Sequence, residues 1–130
     1  MRRGFLVLYG AALVAAVFGT SIVGADKTVK QPLVRIAELE IDPTQLLAYR
    51  DALKEEIATS IRDEPGVLTL YAVSVKNQPS QIRIFEIYKD QAAYELHLQT
   101  PHFKKYKAET QGMVKSLKLI EADPILLQGK

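Results

Sequence analysis

Cysteine is absent from the 130 residues, which excludes disulfides, thiolate metal sites and thiol nucleophiles. Its absence also removes an oxidation hazard in an oxidising compartment. Other signatures are missing as well. The chain has no glycine-rich phosphate loop, no dinucleotide fingerprint and no zinc-binding HExxH. A serine triad is not excluded by composition, but no nucleophile elbow presents one. There is no dominance of one charge: 17 Lys+Arg stand against 15 Asp+Glu. Histidine is scarce, at two. No internal repeat, low-complexity segment or interdomain linker occurs.

The first residues that are present read as an address. Met1-Arg2-Arg3 is followed by an apolar run from Phe5 to Phe18 and by small residues ending at Val23-Gly24-Ala25. This is the order of a secretory signal peptide, with cleavage expected after Ala25. The run is shorter than the roughly 20 residues of a membrane span. Only Arg2 and Arg3 are basic within residues 1–25, so removing them leaves 15 Lys+Arg against 15 Asp+Glu. The expected mature chain is therefore formally neutral, and no nucleic-acid partner is expected. A periplasmic or secreted location follows, with no stable membrane association after cleavage. Residues 26–32 read as a polar leader and 33–130 as a single domain.

Leu33 to Ile41 alternates partly and reads as a strand. Asp42-Pro43 opens a helix, since Asp42 can accept from free amides and proline is tolerated at the first helical position. Leu46, Tyr49, Leu53, Ile57 and Ile61 then form an apolar stripe, and Asp63-Glu64-Pro65-Gly66 ends it. Val67 to Val75 is the second strand, with both alternating faces mainly apolar. Asn77-Gln78-Pro79-Ser80 reads as a turn, and Gln81 to Tyr88 as the third strand of a hairpin. Asp90 caps a helical stretch from Gln91 to Gln99. Thr100-Pro101 starts another, which Gly112 breaks. Met113 to Ile120 is the last long strand, and Ile125-Leu126-Leu127 reads as a short edge.

The order β-α-β-β-α-β is the ferredoxin-like pattern of an α+β fold with an antiparallel sheet. Helices can cover only one sheet face, yet the central hairpin is apolar on both. A second copy of the chain is the economical cover, which predicts a homodimer with facing sheets, a dimeric α/β-barrel.

Few polar residues sit in apolar context. Glu86 shares a strand face with Ile82, Ile84 and Tyr88. It reads as a pocket acid or base, or else as a structural partner of a helix residue or of Arg35 or Arg83. His97 reads as a general base, or as a core histidine that ties helix to strand. His102, in the first turn after Pro101, reads as a ligand contact or a local cap. Tyr71 and Tyr88 read as pocket walls with one polar tip each, or as ordinary strand packing, and Tyr106 is the remaining polar residue in apolar context. His97 and His102 fall outside the i, i+4 spacing of a shared helix face and have Pro101 between them. They make a poor metal pair, and no metal site is expected.

Three segments carry a resemblance: Glu64-Pro65-Gly66-Val67-Leu68, Phe85-Glu86-Ile87-Tyr88-Lys89-Asp90-Gln91-Ala92-Ala93-Tyr94, and His97-Leu98-Gln99-Thr100-Pro101-His102-Phe103-Lys104-Lys105-Tyr106. In this order and spacing the chain resembles the antibiotic-biosynthesis monooxygenase (ABM) domain family over residues 33–120, especially its quinol monooxygenase branch. The resemblance implies oxidation of a small quinol or phenolic substrate by O2 with no cofactor. It implies His97 and Glu86 as catalytic residues, one of them the base, and Tyr88 and His102 as substrate-binding ones; Tyr71 and Tyr106 join the substrate-binding set from their apolar context alone. Tyr88 replaces a tryptophan common in relatives, and Asn77, the only asparagine, lies in a turn. Lys107 stands where haem-degrading relatives place an iron-ligating histidine, so haem degradation is not expected. The same scaffold also serves isomerase-like enzymes, and a non-catalytic dimeric binder of small ligands is the remaining alternative.

Overall fold

The computed structural model describes residues 30–130; the expected signal peptide and its cleavage site lie outside the described residues. Among the described residues, no helix is long and apolar enough to cross a membrane. The elements run β1 (Leu33–Ile41), a 3-10 turn (Pro43–Gln45), α1 (Leu46–Asp63), β2 (Val67–Val75), β3 (Gln78–Tyr88), α2 (Gln91–His97), α3 (Pro101–Thr110) and β4 (Val114–Ala122). The four strands form one antiparallel sheet in the order β2-β3-β1-β4. This is the ferredoxin-like arrangement, with α2 and α3 together filling the second helical position.

The local signals explain most boundaries. The Asp42 carboxylate accepts from Thr44 N at 2.9 Å, and Pro43 follows it. Asp90 accepts from Ala93 N at 2.9 Å and starts α2. Thr100 Oγ1 accepts from Phe103 N at 3.3 Å, and Pro101 opens α3. Each cap satisfies an amide that the first helical turn leaves free.

Three expectations are corrected. The hairpin turn is Lys76-Asn77, and β3 already begins at Gln78. Asn77 takes a positive φ (64°) in this turn, a conformation asparagine tolerates better than most residues. Pro79 then sits where the β2–β3 register shifts and β1 does not reach, so its missing N–H breaks no ladder bond. The helical stretch from Gln91 stops at His97, not Gln99. Ile125-Leu126-Leu127 forms no strand and is exposed.

One sheet face packs under the helices. Ala37, Leu39 and Ile41 of β1 and Ile82, Ile84 and Tyr88 of β3 are buried there with Tyr49, Leu53 and Tyr106. Each leucine or isoleucine among them contributes roughly 1.5–3 kcal/mol. A register shift between Val67 and Thr69 interrupts the alternation of β2. Val67 and Leu70 therefore both point into the covered side, and Leu68 is turned outward. The other face carries Tyr71, Val73 and Phe85 in the open, beside half-buried Val34, Ile36, Ile87 and Ile120.

Candidate active site

The buried stripe of α1 is Tyr49, Leu53, Glu56 and Ser60. Helical spacing thus brings a carboxyl group under the helix, where Ser60 Oγ donates to Glu56 Oε1 at 2.8 Å. The Glu64-Pro65-Gly66 stop holds Glu64 at the end of the same helix. α2 ends on His97 and α3 begins at Pro101, so the chain folds back and both histidines meet Glu64. His97 Nδ1 lies 3.0 Å from Glu64 Oε1, and His102 Nε2 lies 2.5 Å from the same oxygen. His97 Nε2 faces Glu56 Oε1 at 3.5 Å, beyond a good hydrogen bond.

This order assigns the roles. Burial pushes the Glu64 carboxyl up, but the hydrogen bonds from His97 and His102 outweigh it and hold the group below the usual carboxylate range. Glu64 is the acceptor, so His97 donates through Nδ1, and in the neutral ring Nε2 keeps its lone pair. The arrangement is that of a base oriented by a third group. Glu56 is pushed up by burial, partly offset by the Ser60 bond and by His97.

A cavity of about 370 Å³ opens beside this chain of groups, between the covered sheet face and α2–α3. Arg35, Glu86, Tyr88, His97 and Tyr106 contribute to its wall, with Leu39, Leu53, Ile84 and Phe103 as apolar lining. Exposed Lys107, Gln111, Leu117 and Leu119 mark its outer end between α3 and β4. On β3, Glu86 accepts from Tyr88 Oη at 3.0 Å. Burial raises the Glu86 carboxyl above its ordinary range, against the opposing effects of Tyr88 and Arg35. Tyr88 itself is pushed up by burial and by the neighbouring Glu86. Tyr106 Oη pairs with Tyr49 Oη at 2.7 Å, and burial pushes Tyr106 up to about 12. Both phenols therefore stay protonated at neutral pH.

Of the residues expected from sequence, Glu86, Tyr88, His97 and Tyr106 come together on this cavity. His102 stands behind it, reaching it through Glu64. Tyr71 does not join them: it is 68 % exposed, on the rim of a separate groove of about 680 Å³ between α1 and β2. Tyr71 pairs with Phe85 across β2 and β3, and alternation sends both away from Glu86. Two members escaped the sequence reading as site residues. Glu56 is recognisable only once the stripe is counted through Tyr49, Leu53, Glu56 and Ser60. Glu64 lies inside the quoted Glu-Pro-Gly segment but reads there as a helix stop.

Glu56, His97 and His102 each offer a ligand atom, all within 4.8 Å of one another. The spacing objection to the two histidines thus fails in space, because the break between α2 and α3 reorients His102. In this geometry His97 Nδ1 and His102 Nε2 both engage Glu64.

The comparisons follow the same outline. Residues 32–109 match the family model described as antibiotic biosynthesis monooxygenase. A solved structure from Bacteroides thetaiotaomicron, assigned to that group, is 51% identical with a TM-score of 0.76 and covers 77% of this chain and 97% of its own. A Lactobacillus acidophilus structure assigned as a monooxygenase is 32% identical with a TM-score of 0.67. It covers 69% of this chain but only 44% of its own, so this chain spans under half of that protein. An uncharacterised Synechocystis protein is 21% identical over 117 residues, 88% of this chain and 79% of that protein.

Proposed function

The chain belongs to the antibiotic biosynthesis monooxygenase family, and from that premise we propose that it oxidises a small quinol or phenol with O2, without flavin, haem or metal. The observation that carries this reading is His97: buried, held by Glu64 through Nδ1, with Nε2 facing Glu56 and the side chain in the wall of the cavity. A phenol placed there loses its proton to Nε2, and the imidazolium that forms is stabilised by the Glu64 carboxylate. The phenolate then supplies all the electrons. One oxygen atom of O2 enters the ring, the other leaves as water, and a hydroquinone becomes a hydroxyquinone. Glu86, whose carboxyl burial raises above its ordinary range, stands as the acid of the pocket toward developing charge on oxygen, and the Tyr88 ring walls the site.

The reading includes a homodimer joined through the open sheet face, which would cover Tyr71, Val73 and Phe85. It also includes export, with residues 1–25 removed. A reaction that draws its electrons from the substrate needs no soluble nicotinamide outside the cytoplasm.

The test is oxygen uptake by the purified protein over a panel of hydroquinones. Uptake is expected, falling by roughly 10²–10⁴ in kcat/KM in His97→Ala, the range of a lost general base, and falling also in Glu86→Gln. Turnover without oxygen would indicate an isomerase-like enzyme instead. Ligand binding with no product would leave a binding protein.

A further inference from the structure

Arg35 has no role in the chemistry above, yet it lines the same cavity. It sits in β1 between two carboxylate residues in register, Glu86 on β3 and Glu121 on β4. Neither neutralises it directly: among the described residues, none of the ion pairs within 4.0 Å includes Arg35. Glu86 accepts from Tyr88 instead. The Arg35 Nε is buried and has no hydrogen-bond partner. An unsatisfied buried donor opposes folding and calls for a ligand or a function to explain it. The guanidinium lies over the Tyr94 ring, 4.4 Å from its centroid. Stacking on Tyr94 holds the guanidinium in the wall of the cavity.

The base lies in the same cavity, across an aromatic pair. Tyr94 contacts Tyr88 at 5.1 Å, and Tyr88 contacts His97 at 5.4 Å, centroid to centroid. An unpaired cation and an oriented base thus flank one aromatic wall. We propose that Arg35 is a specificity residue that binds a carboxylate on the substrate, so that the preferred substrates are hydroxylated aromatic acids over neutral quinols. The planar fork of arginine matches a carboxylate with two parallel hydrogen bonds. Charge anchored at Arg35 leaves a ring hydroxyl free to reach His97. This rests on the cavity being the substrate site, but not on the oxygen chemistry.

The experiment is calorimetric titration of the purified protein under nitrogen, with 2,5-dihydroxybenzoate and with hydroquinone, the same ring without the carboxylate. The acid should bind at least about tenfold more tightly, a difference of roughly 1.4 kcal/mol. Arg35→Met should remove that preference while leaving hydroquinone binding unchanged, and Arg35→Lys should restore only part of it. Since Arg35 makes no ion pair among the described residues, and methionine can still pack on the Tyr94 ring, Arg35→Met should not lower the melting temperature. Equal affinity for the two ligands, a preference that survives Arg35→Met, an Arg35→Met variant that fails to fold, or no binding of either ligand at millimolar concentration would each overturn the proposal. Binding of the acid without later oxygen uptake would remove the monooxygenase reading and leave this one standing. Uptake on hydroquinone with no preference for the acid would do the reverse.

Discussion

At the scale of single residues, His97 joins two readings that sequence had set apart. It ties α2 to the end of α1 and it stands in the wall of a cavity. Both follow from Glu64, which takes one nitrogen and leaves the other. Glu64 also fixes a pH dependence. Its folded pKa lies below the ordinary value. A carboxylate lowered on folding adds stability above its unfolded pKa and loses that contribution as pH falls through its folded pKa. Glu64→Gln should therefore be less stable at pH 7, by up to about 1.5–3 kcal/mol for each charge-assisted bond lost, and melt at a lower temperature. The gap to the parent should close in acid, below the usual carboxylate range. Thermal melts across the acid limb check this; a gap that persists at the acid end would mean that the glutamate packs without its charge mattering.

Among elements, the most restrictive junction is the entry to β2. A Cβ on Gly66 would stand 2.5 Å from the Ala93 Cβ of α2, while the Gly66 carbonyl accepts from Lys89 N at 2.8 Å. Both sides of the residue are engaged, so the strand cannot move away to make room. Gly66→Ala should cost about 1–3 kcal/mol by overpacking, which lowers the melting temperature by roughly 4–8 °C per kcal/mol in a domain of this size. Ala93→Gly in the same chain should recover most of the loss, because it removes the opposing methyl. An unchanged melting temperature in the single variant would show that α2 gives way freely. The element boundaries that sequence missed share a cause. At Lys76-Asn77 the positive φ falls to the asparagine, and Pro79, the stronger turn signal, lies inside a strand. At Leu68 a bulge shifts the alternation, and alternation alone does not announce it.

For the whole molecule, the sheet has one covered face and one open face. Val34, Ile36, Tyr71, Val73, Phe85, Ile87 and Ile120 all stand on the open one. Such a contiguous apolar surface favours association. Light scattering on the purified protein should give twice the chain mass at micromolar concentration. Tyr71→Glu with Phe85→Lys should give a monomer with the same far-UV circular dichroism. A wild-type monomer would remove the dimer from the reading, and a dimer that survives both charges would place the interface elsewhere.

The amino-acid sequence by itself determined the order β-α-β-β-α-β, most caps and most strand limits, because these depend on neighbours along the chain. Asp42, Asp90 and Thr100 bond amides two or three residues away. Glu86 and Tyr88 were legible for the same reason, since an alternation of two puts them on one face. The tertiary structure alone decided how the site is joined. Glu64 meets residues 33 and 38 positions further on, Glu56 comes to face His97 across two helices, and Arg35 stacks on Tyr94 with no ion pair among the described residues, although carboxylates flank it in register. Those relations depend on where a helix stops and how the next one turns back, and a local pattern carries no measure of either.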